Sequence, residues 1–460
     1  MRYKFLLLII FFTSVISFNC KAKSDRQKPN DYHFSDAGNA YPETALSRVE
    51  GDECVIRGGL PNLFGKLEAG QDVTVAYFGG SITAQSGYRI QTFQWFEDTW
   101  PGVKFTQVDA AIGGTGSLLG AFRLYNDVLV YKPDLIFIEF AVNDFKTAKM
   151  SYDGVVGSVE GIVRQVIRAN PKTDICFVYT ITEAMLDDIK AGKEINSIIA
   201  HEAVAKRYGL PSINMGTAVA KMEAAGKLVM KGAAGKVEAV SGESLNVKAD
   251  LPVNEKGQVV FSNDGVHPYT NSGHKIYTEA VVRALPLLKG KATSHRRGKP
   301  IRADNLEKAK MVSLNDVELS GDWQEYDWDS SLLPIGIKKR MSDVRVAKAS
   351  GNSISFKFKG TVAGYYDIMG PAAGVIEMEI DGKKSYSERF DKYCTYYRIA
   401  NNTMNVANGV HSVKFTLTDR DIDKETLLKQ NGNVMDDPAR FADKRWYVGN
   451  VMLIGDLIIE

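Results

Sequence analysis

From about residue 70 the chain alternates short apolar runs with longer stretches in which apolar residues recur at helical spacing. "DVTVAYFGG", "VKFTQVDAA", "PDLIFIEFAV", "DICFVYTIT" and "LPSINMG" have strand length, and "IQTFQWFEDTW", "LLGAFRLYNDVLVY", "VVGSVEGIVRQVIRAN" and "INSIIAHEAVAKRYG" separate them. Runs such as "LIFIEFAV" are apolar on both faces, as strands covered by helices on both sides must be. The alternation predicts a parallel α/β sheet. Residues 219–262 break the rhythm: they are rich in glycine and lysine with short alternating stretches, which predicts a β-rich insertion before the amphipathic "SGHKIYTEAVVRALPLL" returns to the sheet. Residues 289–310 are polar and basic and mark a linker. Beyond them, alternating runs such as "SISFKFKG", "GVIEMEIDGKK", "HSVKFTLTD" and "NVMLIGDLIIE" lie between glycine, asparagine and aspartate turns, and they predict a C-terminal antiparallel β-sandwich over 311–460.

Composition refines this outline. At 460 residues the chain is long enough for two domains with separate cores. A formal net charge of +2 without long blocks of one sign lacks the field that draws in nucleic acid, so no nucleic-acid partner is expected. The start places Arg2 and Lys4 before an apolar run from Phe5 to Ile16 and then small and polar residues. This predicts an export signal over 1–19, outside the fold. Cys20 resembles the lipid-modified cysteine of bacterial lipoproteins, with Asn19 and Ser17 where such a box carries a small residue and a leucine. The expectation is a secreted chain, or one held at a membrane surface through a lipidated Cys20 and a polar tether over 20–50. The other cysteines, Cys54, Cys176 and Cys394, show no CxxC spacing and indicate neither a disulfide framework nor a zinc site.

Candidate chemistry gathers where predicted strands end. Ser81 follows the first strand in "YFGGSIT", Gly113 and Gly114 the second in "AAIGGTGS", and Asn143 the third in "EFAVND"; Asp264 and His267 lie in "SNDGVHPYT" before the last helix. Ligands of open parallel sheets bind outside the carboxyl ends of strands, so these four segments are expected on one edge. Taken singly, Ser81 reads as a helix cap and the others as turns. Together they supply what acyl transfer needs: a hydroxyl nucleophile, an imidazole base, a carboxylate three residues away to hold that imidazole, and amide donors for an oxyanion. Of six histidines only His267 has an aspartate three before it and a proline after it. His201 and His274 read as packing or surface residues, His33 lies in the tether, His295 in the linker and His411 in a turn. Tyr88 reads as packing and Arg89 as solvated, with lining of a pocket as the alternative. The aromatic residues of "DWQEYDWDSS", "DKYCTYYRI" and "RWYVG" read as core, with sugar stacking as the alternative.

The ordered set GGSIT, IGGTGS, AVND and DGVHP resembles the four blocks of the SGNH, or GDSL-type, hydrolases, over roughly residues 52–288. The resemblance implies a flavodoxin-like three-layer α/β/α domain over 51–288, followed here by a sandwich of jelly-roll kind. It implies Ser81 as nucleophile, Asp264 and His267 as the pair that activates it, and the N–H groups of Ser81 and Gly114 with the Asn143 amide as oxyanion donors. No metal or organic cofactor is expected. Two positions depart from the family pattern: Gly80 stands where an aspartate usually precedes the serine, and Ala141 where a glycine opens the third block. The implied activity is removal of a small acyl group, O-acetyl foremost, from a glycan. Another ester (a uronate methyl ester or a lipid) and a non-catalytic glycan-binding protein remain as alternatives.

Overall fold

The computed structural model describes residues 53–146, 150–193, 195–233, 253–291 and 293–459. The export segment, the tether with Cys20 and His33, and residues 234–252 of the expected insertion lie outside the described residues.

Among the described residues the first sheet has six strands: β1 (Cys54–Val55), β2 (Val73–Gly79), β3 (Phe105–Asp109), β4 (Leu135–Glu139), β5 (Asp174–Tyr179) and β6 (Ser212–Asn214). Their order is β1-β6-β5-β4-β2-β3, and only β1 runs antiparallel to its neighbour. The five parallel strands therefore follow the flavodoxin-like order, with a topological switch where β2 lies between β3 and β4. Both faces are apolar because successive residues alternate between two cores. Val75, Tyr77, Leu135, Phe137, Cys176 and Val178 face one core, whereas Ala76, Phe78, Ile136, Ile138, Ile175 and Phe177 face the other. Helices α1 (Pro61–Glu68), α3 (Tyr88–Thr99) and α10 (Gly273–Ala284) cover the first face. Helices α4 (Ser117–Asp127), α6 (Tyr152–Ala169) and α8 (Asn196–Tyr208) cover the second. Between these in the chain lie the short α2 (Ser81–Ala84), α5 (Ala141–Lys146), α7 (Glu183–Lys190) and α9 (Gly216–Ala224).

The expected insertion is β-rich only in part. Its first residues complete α9, after which β7 (Leu228–Lys231) pairs in parallel with β8 (Val259–Ser262).

The second domain is a nine-stranded antiparallel network among the described residues, in the path β11-β12-β17-β13-β16-β14-β15, with β10 added to β13 and β9 to β17. These are β9 (Ala309–Ser313), β10 (Glu318–Ser320), β11 (Trp323–Glu325), β12 (Arg345–Ala347), β13 (Ser353–Met369), β14 (Val375–Ile380), β15 (Lys383–Glu388), β16 (Arg398–Thr418) and β17 (Trp446–Ile458). Strand β13 explains how it docks. Before an irregularity between Gly360 and Val362, "SISFKFK" alternates, and Ile354, Phe356 and Phe358 face the domain's own core. The extra residue flips the parity. Ala363 and Tyr365 then face that core, while Val362, Tyr366 and Ile368 join the apolar cluster of α4 and α6. The expected separate cores are therefore fused: one continuous cluster runs from the parallel sheet to Tyr447, Met452 and Ile454 of β17.

The polar stretch before β9 is packed rather than free. Leu306 is fully buried, its N–H donates to the Gly157 carbonyl at 3.0 Å, and a side chain at Gly161 would stand 2.6 Å from its backbone. Glu160 accepts from the backbone N–H groups of Ile301 (2.6 Å) and Arg302 (2.9 Å). These polar partners on α6 are why a basic stretch can lie against a helix.

Candidate active site

Strand β2 delivers Ser81 to the switch point. Gly80 precedes it at φ −92°, and Ser81 opens α2. Its hydroxyl does not cap that helix. Instead Ser81 Oγ lies 2.8 Å from His267 Nε2, and His267 Nδ1 lies 2.7 Å from Asp264 Oδ2. An ionised carboxylate only accepts, so Nδ1 carries the proton and Nε2 is left to accept from the serine hydroxyl. The other oxygen of Asp264 accepts from the N–H groups of Val266 (2.9 Å) and His267 (2.8 Å). Burial by itself would raise this carboxyl, but the hydrogen bonds from the His267 ring and the two N–H groups outweigh it and hold the group at about 2. The turn is fastened from beneath by Ser262, whose hydroxyl accepts from Gly265 N–H and donates to the Met230 carbonyl, both at 2.7 Å.

The glycine loop and Asn143 lie beside the Gly80–Ser81 turn. A Cβ on Gly113 would stand 3.6 Å from that of Ser81, and Gly114 takes φ +75° with open space where a side chain would be. That left-handed conformation favours glycine. Asn143, in the first turn of α5 after β4, is buried, and its carboxamide fills the space over Gly80: a Cβ there would meet Asn143 Oδ1 at 2.1 Å. The departure from the family pattern at residue 80 thus has a local cause. Ala141 is buried in the apolar cluster and does not displace Asn143. All five predicted site residues, Ser81, Gly114, Asn143, Asp264 and His267, come to one edge of the sheet.

Several supporting residues escaped sequence reasoning. Arg123 of α4 is fully buried, donates to the carbonyls of Ala110 (2.6 Å) and Gly79 (3.2 Å), and lies over the Phe78 ring at 4.4 Å. In sequence it looks like a solvated arginine on a helix. Asp144, next to Asn143, accepts from the N–H of Ser117 at 2.8 Å and from His201 Nε2 at 3.0 Å, which ties α5, α4 and α8 together. Glu139 is buried beneath α2 and accepts from Thr83 (2.9 Å) and Thr180 (2.8 Å). Burial pushes its carboxyl up to about 7 despite those bonds. A lone acid within the apolar "LIFIEFAV" was the signal for it.

The remaining histidines and Arg89 find other partners. His274 is buried, accepts from Tyr88 N–H at 3.2 Å and is held at about 3, first by burial and then by the nearby His267 and Arg89. His295 pairs with Asp174 at 2.9 Å, and His411 lies within β16 opposite Phe358 rather than in a turn. Arg89 is buried rather than solvated, with Nε donating to the Thr83 carbonyl at 3.0 Å. In the second domain Trp446 and Tyr447 are core residues.

Residues 77–231 match the GDSL-like Lipase/Acylhydrolase family. No curated protein matches the chain. Among solved structures the chain is similar to a two-domain esterase (CEX) active on acetylated mannans, co-crystallized with mannopentaose. Identity is 20%, 90% of this chain and 100% of that one are covered, and the TM-score is 0.65. A second structure of the two-domain esterase (CEX) active on acetylated mannans matches at 20% identity and a TM-score of 0.64, over 88% of this chain and 98% of that one. The likeness extends over both domains and concerns the fold. By the blocks it carries and the sheet edge on which they meet, the α/β domain of this chain is similar to the GDSL-like lipase/acylhydrolase family over residues 77–231.

Proposed function

We propose that the protein is a serine esterase that removes a small acyl group, O-acetyl foremost, from a polysaccharide or oligosaccharide. The observation that carries the reading is the hydrogen-bonded line from Ser81 through His267 to Asp264, beside two glycines and a buried carboxamide. His267 Nε2 takes the proton of Ser81 as Oγ attacks the ester carbonyl, and Asp264 stabilises the resulting imidazolium. The N–H groups of Ser81 and Gly114 and the Asn143 amide receive the oxyanion. His267 then protonates the departing alcohol, and water, activated in the same way, releases the acid from the acyl-serine.

The glycan is supported by the activity of the similar two-domain esterase on acetylated mannans and by the shared second domain. The N-terminal signal and Cys20 support export, with the chain free or lipid-anchored at the surface. The test is acetate release from a panel of acetylated mannans and xylans, with methyl-esterified uronans and triglycerides alongside. Acetate from at least one glycan, absent with Ser81→Ala, is expected. Methanol or fatty acid as the only product would replace the substrate, and turnover surviving Ser81→Ala would overturn the mechanism.

A further inference from the structure

The loop between β3 and α4, which carries Gly113 and Gly114, is held by arginines from both domains. Arg123 takes the carbonyl of Ala110 from within the α/β domain. The next carbonyl, that of Ala111, accepts at 3.1 Å from Arg340 Nη2, a residue of the β-domain 229 positions further along the chain. The same nitrogen lies 3.1 Å from Asp109 Oδ1, the oxygen that accepts Ala111 N–H at 3.3 Å. That oxygen also lies 3.7 Å from Nε of Arg89, which donates to the Thr83 carbonyl in α2, the helix that begins with Ser81. Arg340, Asp109 and Arg89 thus form an ionic bracket between the β-domain, the glycine loop and the serine's helix.

Arg340 is aimed there by its surroundings. It follows the short helix α11 (Ile335–Lys338), and its neighbours Ile337 and Met341 are buried in the shared core. Met341 occupies the space above Gly449 of β17, where a Cβ would stand 2.3 Å from its Cγ. The Arg340 side chain is only 13% exposed, so its guanidinium is withdrawn from most solvent partners. A charged donor shared by a carbonyl and a carboxylate is a stronger tie than a neutral hydrogen bond.

We propose that Arg340 is a positioning residue for the oxyanion loop, so that the β-domain sets the geometry of a site lying wholly in the other domain. The proposal rests on the serine-esterase reading given above. p-Nitrophenyl acetate separates this role from glycan binding, because so small an ester needs no contact with the β-domain. Arg340→Gln is expected to lower kcat on it by about 10- to 100-fold, since ångström-scale misplacement costs up to about 10²-fold, with KM changed less than about twofold. Arg340→Lys should recover part of the loss. Should Arg340→Gln fail to fold, Asp109→Asn, which keeps an oxygen for Ala111 N–H while removing the charge, should show the same kcat-confined defect in smaller measure. Wild-type kcat per folded enzyme in the glutamine variant, or in the asparagine variant if only that one folds, overturns the proposal, as does a defect confined to KM on glycan. Ser81→Ala is run beside them: if it retains turnover the serine reading itself fails, whereas a dead Ser81→Ala with an unaffected Arg340→Gln refutes the positioning role alone.

Discussion

Gly80→Ala isolates the contribution of Asn143 without touching it. The φ of −92° at residue 80 suits any L-residue, so the substitution brings no backbone strain. What it brings is a methyl group 2.1 Å from Asn143 Oδ1, 2.7 Å from Cγ and 3.1 Å from Nδ2. Ordinary contact begins at 3.4 Å, so the carboxamide must retreat by about 1.3 Å. Misplacement of that size costs up to about 10²-fold in rate, or roughly 2.7 kcal/mol. The assay is steady-state hydrolysis of p-nitrophenyl acetate, with thermal unfolding to confirm that the variant is folded. The decisive comparison is a double-mutant cycle with Asn143→Ala, which removes the three atoms nearest the new methyl. In that background Gly80→Ala should cost almost nothing, giving a coupling of about 2–3 kcal/mol. Equal losses in both backgrounds would show that Asn143 does not transmit the effect, and a wild-type kcat for Gly80→Ala would refute the reasoning outright.

Other outcomes follow from the same geometry. Asn143→Ala alone should lose about 10²–10³ in kcat, or ~2.7–4 kcal/mol, while staying folded; a loss under tenfold would remove the amide from the oxyanion site. Leu306→Ala should destabilise by about 2–5 kcal/mol and, because the two domains share a core, denaturation should remain one transition by fluorescence and circular dichroism; two separated transitions would contradict the fused core. Buried His274 and Glu139 give stability opposing pH slopes. An unfolded histidine takes a proton near 6.5 that His274 refuses until about 3, so its contribution is lost as pH falls across that window. Glu139 keeps its proton up to about 7 against 4.5 unfolded, so its contribution is lost as pH rises through that range. Urea midpoints should show His274→Gln losing less than wild type from pH 6.5 to 3 and Glu139→Gln losing less from pH 4.5 to 7, each by up to about 1.4 kcal/mol per pH unit. Parallel profiles for wild type and variants would show that these groups titrate normally.

The parallel sheet was legible because "LIFIEFAV" and "VTVAYFGG" have no solvent face, and the edge on which Ser81, Gly114, Asn143 and His267 meet followed from each standing at a strand's end. What stayed hidden depended on partners distant in the chain. Leu306 sits in a stretch of lysines and arginines whose backbone N–H groups are taken by Glu160 and whose Arg302 pairs with Asp153 at 2.8 Å. The docking face of β13 is written in "VAGYYDIM", but the parity change that turns it outward needs the bulge after Gly360. Arg89 and Arg123 read in sequence like solvated guanidinia, because the carbonyls of Thr83, Ala110 and Gly79 that they reach are brought to them by the fold, and the Asp127 partner of Arg123 four residues on is what an exposed helix pair would also show.

The central claim is that the Ser81 hydroxyl is the nucleophile that His267 activates. Treatment with an activated phosphonate ester followed by peptide mass spectrometry tests it directly. A single adduct on Ser81, formed at least about a hundredfold more slowly in His267→Ala and absent in Ser81→Ala, is the predicted result. Modification of a different residue, or labelling of Ser81 at an unchanged rate without His267, would contradict it.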